Sequence, residues 1–178
     1  MKAAGSGVTG AGDMDGDGHD DVLVGAAGND EGGDSAGAAY LVLGPVVGQL
    51  DLSLANAKLV GENAYDYVGQ VFGHSVSGAG DVDGDGQDDV LVGAASNDGG
   101  GDNAGAAYVV LGPVTGTLDL SLADAKLVGN NDFAGVAVSG AGDVDGDGQD
   151  DVLVGASRNE DGAEGGGAAY LVYGASLF

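Results

Sequence analysis

The 178-residue chain is 43% hydrophobic and holds 39 glycines, two prolines and no cysteine; that composition suits one folded domain with many glycine turns and excludes global disorder, a collagen-like repeat and a disulfide scaffold. Its 29 acidic residues against Lys2, Lys58, Lys126 and Arg158 leave a formal net charge of −25, which excludes nucleic acid as a partner, disfavours an anionic membrane surface and makes cations the natural partners. No apolar run reaches the roughly 18 residues of a membrane span, and MKAAGSGVTGAGD lacks the apolar stretch of a signal peptide, so neither membrane insertion nor a leader is expected from the sequence given.

The first feature along the chain is an acidic loop, in TGAGDMDGDGHDDVLVGA from Thr9. SGAGDVDGDGQDDVLVGA follows at 77–94 and returns letter for letter at 139–156. Internal repetition of this kind points to an array, a solenoid or a set of propeller blades, with units at about 1–61, 62–129 and 130–178. Each unit reads as short strands. The segment before each loop, such as Ser75-Val76-Ser77, supplies one. DVLVG at 21–25 and AYLVL at 39–43 are apolar, partly β-branched runs bounded by Gly and Asp, as buried strands are. GAAYLVLG at 37–44 comes back as GAAYVVLG at 105–112 and GAAYLVYG at 167–174. Leu50, Leu52 and Leu54 alternate with polar neighbours, as in a strand, and a short apolar run follows at Leu59-Val60. This stretch, GQLDLSLANAKLVGEN from Gly48, returns from Gly116 and not a third time. The count is four strands, four and three, with no helix of useful length.

Residues 62–76 are six residues longer than their counterpart around NNDFAGVAV and bring in Tyr65, Tyr67, Phe72 and His74. These aromatics form either a surface contact site or a core plug in which Phe72 and Phe133 take equivalent positions; the second reading is the plainer one.

In DVDGDGQDD at 81–89, carboxylates stand at loop positions 1, 3, 5 and 9, a backbone carbonyl at 7 and a Gly at 6, the ligand order of an EF-hand calcium loop. So many hard oxygen donors suit Ca²⁺, whereas Mg²⁺ keeps its waters and Zn²⁺ wants nitrogen or sulfur. Position 12, where an EF-hand has a bidentate Glu, is Val24, Val92 or Val154 inside DVLVGA. The loop therefore leads into a strand, which argues against EF-hand pairs or dockerin-like modules and predicts a calcium-binding β-hairpin. A duplicated Gly-Asp turn without metal is the alternative, and three loops with four correctly spaced carboxylates each argue against it. Asp20, Asp88 and Asp150, at position 8, are expected to point away from the ion, supporting the loop from outside or facing solvent.

The pattern FG-x-SVSGAGD-x-DGDG-x-DD-VLVGA followed by GAAYLVLG resembles the FG-GAP repeat of integrin α-subunits and many bacterial surface proteins. The copy opening Phe72-Gly73-His74-Ser75-Val76 matches the opening dipeptide; Ala4-Gly5 and Ala134-Gly135 replace it elsewhere. The Gly-Ala-Pro ending reads Gly25-Ala26-Ala27, Gly93-Ala94-Ala95 and Gly155-Ala156-Ser157. The resemblance implies an all-β fold, a β-propeller of four-stranded antiparallel blades with calcium in hairpin loops on one face and partners bound on the other. It carries the ligands over to Asp13, Asp15, Asp17, His19 (carbonyl) and Asp21; to Asp81, Asp83, Asp85, Gln87 (carbonyl) and Asp89; and to Asp143, Asp145, Asp147, Gln149 (carbonyl) and Asp151, three Ca²⁺ sites in all.

Propellers close with about 4–8 blades, and three repeats, the last incomplete, leave two open ends. Completion by another chain is expected, as a homo-oligomeric ring or a filament. Catalysis is not expected. His19 lies in a calcium loop, His74 in the insertion, and Gly73-His-Ser-Val-Ser77 misses the G-x-S-x-G pattern at its fifth residue; a calcium ion with a full oxygen shell is a poor Lewis acid. The expected function is a calcium-binding, self-assembling extracellular scaffold, the alternative being an adhesion segment of a larger cell-surface protein that recognises a protein or glycan.

Overall fold

The computed structural model describes residues 4–69, 75–163 and 165–178. Among the described residues, twelve strands form three sheets. β1 (Val8–Gly12), β2 (Asp21–Ala26), β3 (Ala38–Val42) and β4 (Ala57–Val60) lie antiparallel in that order. β5 (Val76–Gly80), β6 (Asp89–Ala94), β7 (Ala106–Val110) and β9 (Ala125–Val128) repeat the arrangement. β10 (Ala134–Gly142), β11 (Asp151–Ala156) and β12 (Ala168–Val172) form a sheet of three. The remaining strand, β8 (Gly116–Asp119), sits in the second repeat by sequence but joins the first sheet, pairing parallel with β4. The fold is all-β, with open antiparallel sheets that are blades of an incomplete propeller.

The middle strands of the second sheet, β6 and β7, are apolar and buried along their whole length because that sheet is covered on both faces. Leu23, Leu41 and Leu59 of the first sheet meet Val90, Val92, Tyr108 and Val110 of the second in one core. Leu91 and Val109, on the second sheet's other face, meet Val138, Val152 and Val154 of the third. The cores thus lie between sheets. The inner strands β1, β5 and β10 approach so closely that a Cβ on Gly78 would lie 2.9 Å from the Gly10 carbonyl oxygen, and one on Gly140 would lie 2.9 Å from that of Gly78. Only glycine permits that distance.

Three sequence expectations change. Leu50, Leu52 and Leu54 are not a strand: Leu52–Leu54 is a 3₁₀ turn whose start is capped by the Asp51 side chain accepting from Ser53 N at 2.8 Å. The same turn recurs at Leu120–Leu122 under Asp119. An Asp placed to cap, two residues before a free amide, outcompetes strand alternation.

Phe133 is half-buried, packed under the Arg158 guanidinium with Cζ 4.2 Å from the ring centroid. Its counterpart is Tyr67. Both have positive φ (57° and 52°), and their amides donate to Asn103 O and Ser35 O, each at 3.2 Å. Phe72 and His74 lie outside the described residues. The place that Ala4-Gly5 holds in the first repeat goes to Val68-Gly69 in the second: Gly69 N donates to Gly93 O as Gly5 N does to Gly25 O. By these equivalences two of the six extra residues fall between Gly61 and Val68 and four after Gly69.

Equivalent residues are buried unequally along the array. Val76 is 2% exposed and Val8 62%; Leu91 is fully buried and Leu153 is 38% exposed. Leu91→Ala is therefore expected to cost about 2–5 kcal/mol, as a buried Leu truncation does, and Leu153→Ala less than half as much. Urea unfolding of the two variants checks the ranking.

Candidate metal centre

Each acidic loop begins at a β-bulge. The ladder register shifts between Gly10 and Gly12, Gly78 and Gly80, and Gly140 and Gly142, and the bulge turns the chain out of the sheet at Asp13, Asp81 and Asp143. The loop then folds on its own carboxylates. Asp81 accepts from Gly84 N at 2.7 Å and Gly86 N at 2.9 Å, Asp83 from Asp85 N at 3.0 Å, and Asp85 from Gln87 N at 2.8 Å. In the first loop Asp13 accepts from Asp17 N and Gly18 N, Asp15 from Asp17 N, and Asp17 from His19 N. The third repeats this with Asp143, Asp145 and Asp147. Loop positions 4 and 6 are in the left-handed region, as with Gly84 (φ 81°) and Gly86 (φ 92°), which is why DGDG is spelled with glycine.

The carboxylates converge. One oxygen from each of Asp13, Asp15 and Asp17 lies within 4.8 Å of the others, likewise for Asp81, Asp83 and Asp85, and for Asp143, Asp145 and Asp151. An all-oxygen, anionic cluster of that size fits a hard divalent cation. The exposed His19 ring contacts Asp17 Oδ1 at 3.0 Å through Nδ1, and hydrogen bonds from the His19 backbone and ring hold the Asp17 carboxyl below its ordinary range.

Position 9 has a second role that spacing does not reveal. Asp21, Asp89 and Asp151 are buried at the first residue of β2, β6 and β11. One oxygen accepts from the amide of position 2, Met14, Val82 or Val144, at 2.8–2.9 Å. The other accepts from Gly44, Gly112 or Gly174, at the far end of the third strand, at 2.8, 2.9 and 3.1 Å. The carboxylate thus ties loop to sheet. Burial pushes Asp21 up, and Asp89 up to about 6, against the hydrogen bonds they accept.

Position 8 divides. Asp20 is exposed, with no side-chain partner among the described residues, as expected. Asp88 and Asp150 instead reach back to the preceding loop: Asp88 Oδ2 accepts from Asp13 N at 2.7 Å and Asp150 Oδ2 from Asp81 N at 3.2 Å. Backbone bonds accompany them, Asp88 N to Asp13 O and Asp150 N to Asp81 O. Gln149 joins the second of these contacts, its Nε2 donating to Asp83 O at 3.1 Å, while its Oε1 is buried without a partner among the described residues. The first and second loops are therefore held at their first residues by the next blade.

The FG-GAP repeat family matches residues 4–42, 72–110 and 134–172. The chain belongs to that family. Its FG-GAP repeats are also similar to Integrin alpha pat-2 of Caenorhabditis briggsae and of Caenorhabditis elegans, each 33% identical over 157 residues that cover 83% of this chain. The match spans 13% of the length of either relative. The second family match opens at Phe72, whereas the described structure gives the opening place to Val68-Gly69.

Because Asp88 is clamped and Asp20 is not, Asp88→Ala is expected to lower stability by about 1.5–3 kcal/mol, the range for a hydrogen bond to a charged group. Asp20→Ala is expected to stay within about 0.5 kcal/mol, as exposed substitutions do. Parallel urea titrations in 0.1 M salt compare the two.

Proposed function

We propose that the chain is a calcium-stabilised propeller segment of an integrin α-like, extracellular cell-adhesion protein, with blades divided near residues 61 and 129. The observation that carries the calcium part is the convergence of three acidic oxygens within 4.8 Å in each of three loops. Asp13, Asp15, Asp17 and Asp21 with the His19 carbonyl, and the corresponding residues of the other two loops, supply the donors. Bound there, Ca²⁺ neutralises carboxylates whose mutual repulsion opposes the closed hairpin. Asp21, Asp89 and Asp151 place that neutralisation directly on the sheet.

Hairpin connectivity supports a division of labour between the two ends of each blade. The acidic loops join β1 to β2, β5 to β6 and β10 to β11; the loops at 27–37, 95–105 and 157–167 join the next strand pairs and so emerge at the opposite end. Tyr65 of the insertion is exposed there, its hydroxyl donating to Asp34 Oδ2 at 2.9 Å. That end is the proposed surface for a protein or glycan ligand. The reading is of a binding module without catalysis.

Each loop occupied at about 100-fold excess over its Kd adds about 2.7 kcal/mol. One kcal/mol moves the Tm of a chain this size by about 2–4 °C. Removing calcium from three loops is therefore expected to lower Tm by roughly 15–30 °C, and elemental analysis of the dialysed protein to find three ions. An unchanged melt overturns the reading.

A second reading, self-association into a ring or filament, rests on the two open ends: Val8 faces solvent at one, and Val144 and Leu153 at the other. The equivalent Val82 and Leu91 are fully buried where the next sheet covers them. The adhesion reading is the better supported, since the relatives are integrin α chains and nothing beyond the exposed ends favours assembly. Absolute mass by light scattering in millimolar calcium decides: a dimer or larger species is expected from self-association, and a monomer rules it out.

A further inference from the structure

Residues 87–89 face two loops at once. On the proposed ligand set the Gln87 carbonyl and the Asp89 carboxylate belong to the second loop. Asp88, between them, belongs by contact to the first: its Oδ2 accepts from Asp13 N at 2.7 Å and its amide donates to Asp13 O at 3.1 Å. One residue of the next blade thus holds both backbone groups of Asp13, whose carboxylate folds the first loop by accepting from Asp17 N and Gly18 N. Residues 149–151 treat the second loop in the same way. Asp150 Oδ2 accepts from Asp81 N at 3.2 Å, the Asp150 amide donates to Asp81 O at 2.8 Å, and Gln149 Nε2 donates to Asp83 O at 3.1 Å. A Cβ on Gly12 would overlap the Asp88 carboxylate, and one on Gly80 that of Asp150. The glycine before each of these loops leaves the space that an aspartate of the next blade fills.

A second link joins the same loops through their position-9 carboxylates. Met14 N donates to Asp21 Oδ2 at 2.9 Å, and Gly112 N donates to Asp89 Oδ1 at 2.9 Å. Between them the backbones approach so closely that a Cβ on Gly112 would lie 2.6 Å from Met14 O. Val82 and Gly174 connect Asp89 to Asp151 in the same manner, with a Cβ on Gly174 falling 2.6 Å from Val82 O. Consecutive acidic loops are therefore joined by two hydrogen bonds and one close backbone approach, in addition to the aspartate clamp.

We propose that Asp88 and Asp150, with Gln149, are positioning residues for the cation of the preceding loop, so that the first two sites are each supported across a blade boundary. The proposal rests on the calcium reading given above. A ligand whose backbone N–H and C=O are both held cannot swing away from the ion, and orienting a ligand in this way raises affinity without adding a donor. Asp88 and Asp150 also bring a negative charge to a site where positive charge is bound. Gln149 is neutral and acts by orientation alone. By sequence Gln149 and Asp150 belong to the third loop, and by contact they serve the second.

The amides of Gly18, Gly86 and Gly148 donate to the first carboxylate of their own loops at 2.9, 2.9 and 3.0 Å, so each reports its own loop in an amide ¹H–¹⁵N spectrum. Titration of the intact chain with chelator-buffered calcium then gives three separate midpoints. Asp88→Asn keeps an oxygen for Asp13 N; it is expected to raise the Gly18 midpoint about tenfold, as loss of an outer partner of a metal ligand does, and to leave that of Gly86 within about twofold. Asp150→Asn is expected to move Gly86 and leave Gly148. Gln149→Ala changes no charge and is expected to raise the Gly86 midpoint alone, by about threefold; it carries the test if an aspartate variant does not fold. A shift of the substituted residue's own loop in place of the preceding one overturns the proposal. So do equal shifts of all three reporters, which reflect net charge, or unchanged midpoints in a chain that binds calcium. Wild-type reporters that ignore calcium altogether overturn the calcium reading, and this proposal with it.

Discussion

Each sheet in this chain can bury its two apolar faces only against its neighbours. The strands are too short and too small, with glycine and alanine through their inner halves, to make a core within one blade, so Leu23 and Leu41 rest on Val90 and Val92, and Leu91 and Val109 on Val152 and Val154. Stability is therefore a sum over interfaces, as in other repeat architectures. The close approach of β1, β5 and β10 through Gly10, Gly78 and Gly140 belongs to the same constraint. A side chain at Gly78 or Gly140 would separate the inner strands and loosen the face-to-face contact farther out.

The acidic loops are tied into that stacking. Asp21, Asp89 and Asp151 join each loop to the far end of its own third strand, and Asp88 and Asp150 join the first residues of the first and second loops to the next blade. In a chain of net charge −25, that arrangement gathers like charges where the blades meet. The backbone amides within each loop offset part of the repulsion and hold the carboxylates in place. Neutralising a loop thus acts on the hairpin and on the blade contact together.

The fourth strands of the first two blades follow a different logic, based on lysine. Basic residues are scarce, and Lys58 and Lys126 cover a tyrosine and satisfy an acid at the same time. Asn29, Asn97 and Asn159 bond the tyrosine hydroxyl from behind, so the ring is held in orientation whether or not a lysine lies over it. Tyr170 is the case where the orientation persists and the lysine does not.

Much of this was legible in the residues. The spacing of the aspartates and glycines in DGDG loops, the three copies and the unbroken apolar runs are local signals, and local signals sufficed for strands, hairpins and acid clusters. The leucine alternation at 50–54 misled because a capping Asp decides a 3₁₀ turn over a strand by one hydrogen bond that periodicity does not register. Phe133 misled because ring-to-ring equivalence was judged by residue type, whereas backbone bonds to Asn103 and Ser35 pair it with Tyr67. The sequence by itself determined the repeat, the strand content and the carboxylates available to a cation, since each depends on residues near one another in the chain. Only the tertiary structure decided that Asp88 and Asp150 clamp while Asp20 does not, that β8 joins the preceding sheet, and that Leu91 is buried while Leu153 is open. Those differences come from which blade has a neighbour, and identical sequences carry no record of their neighbours.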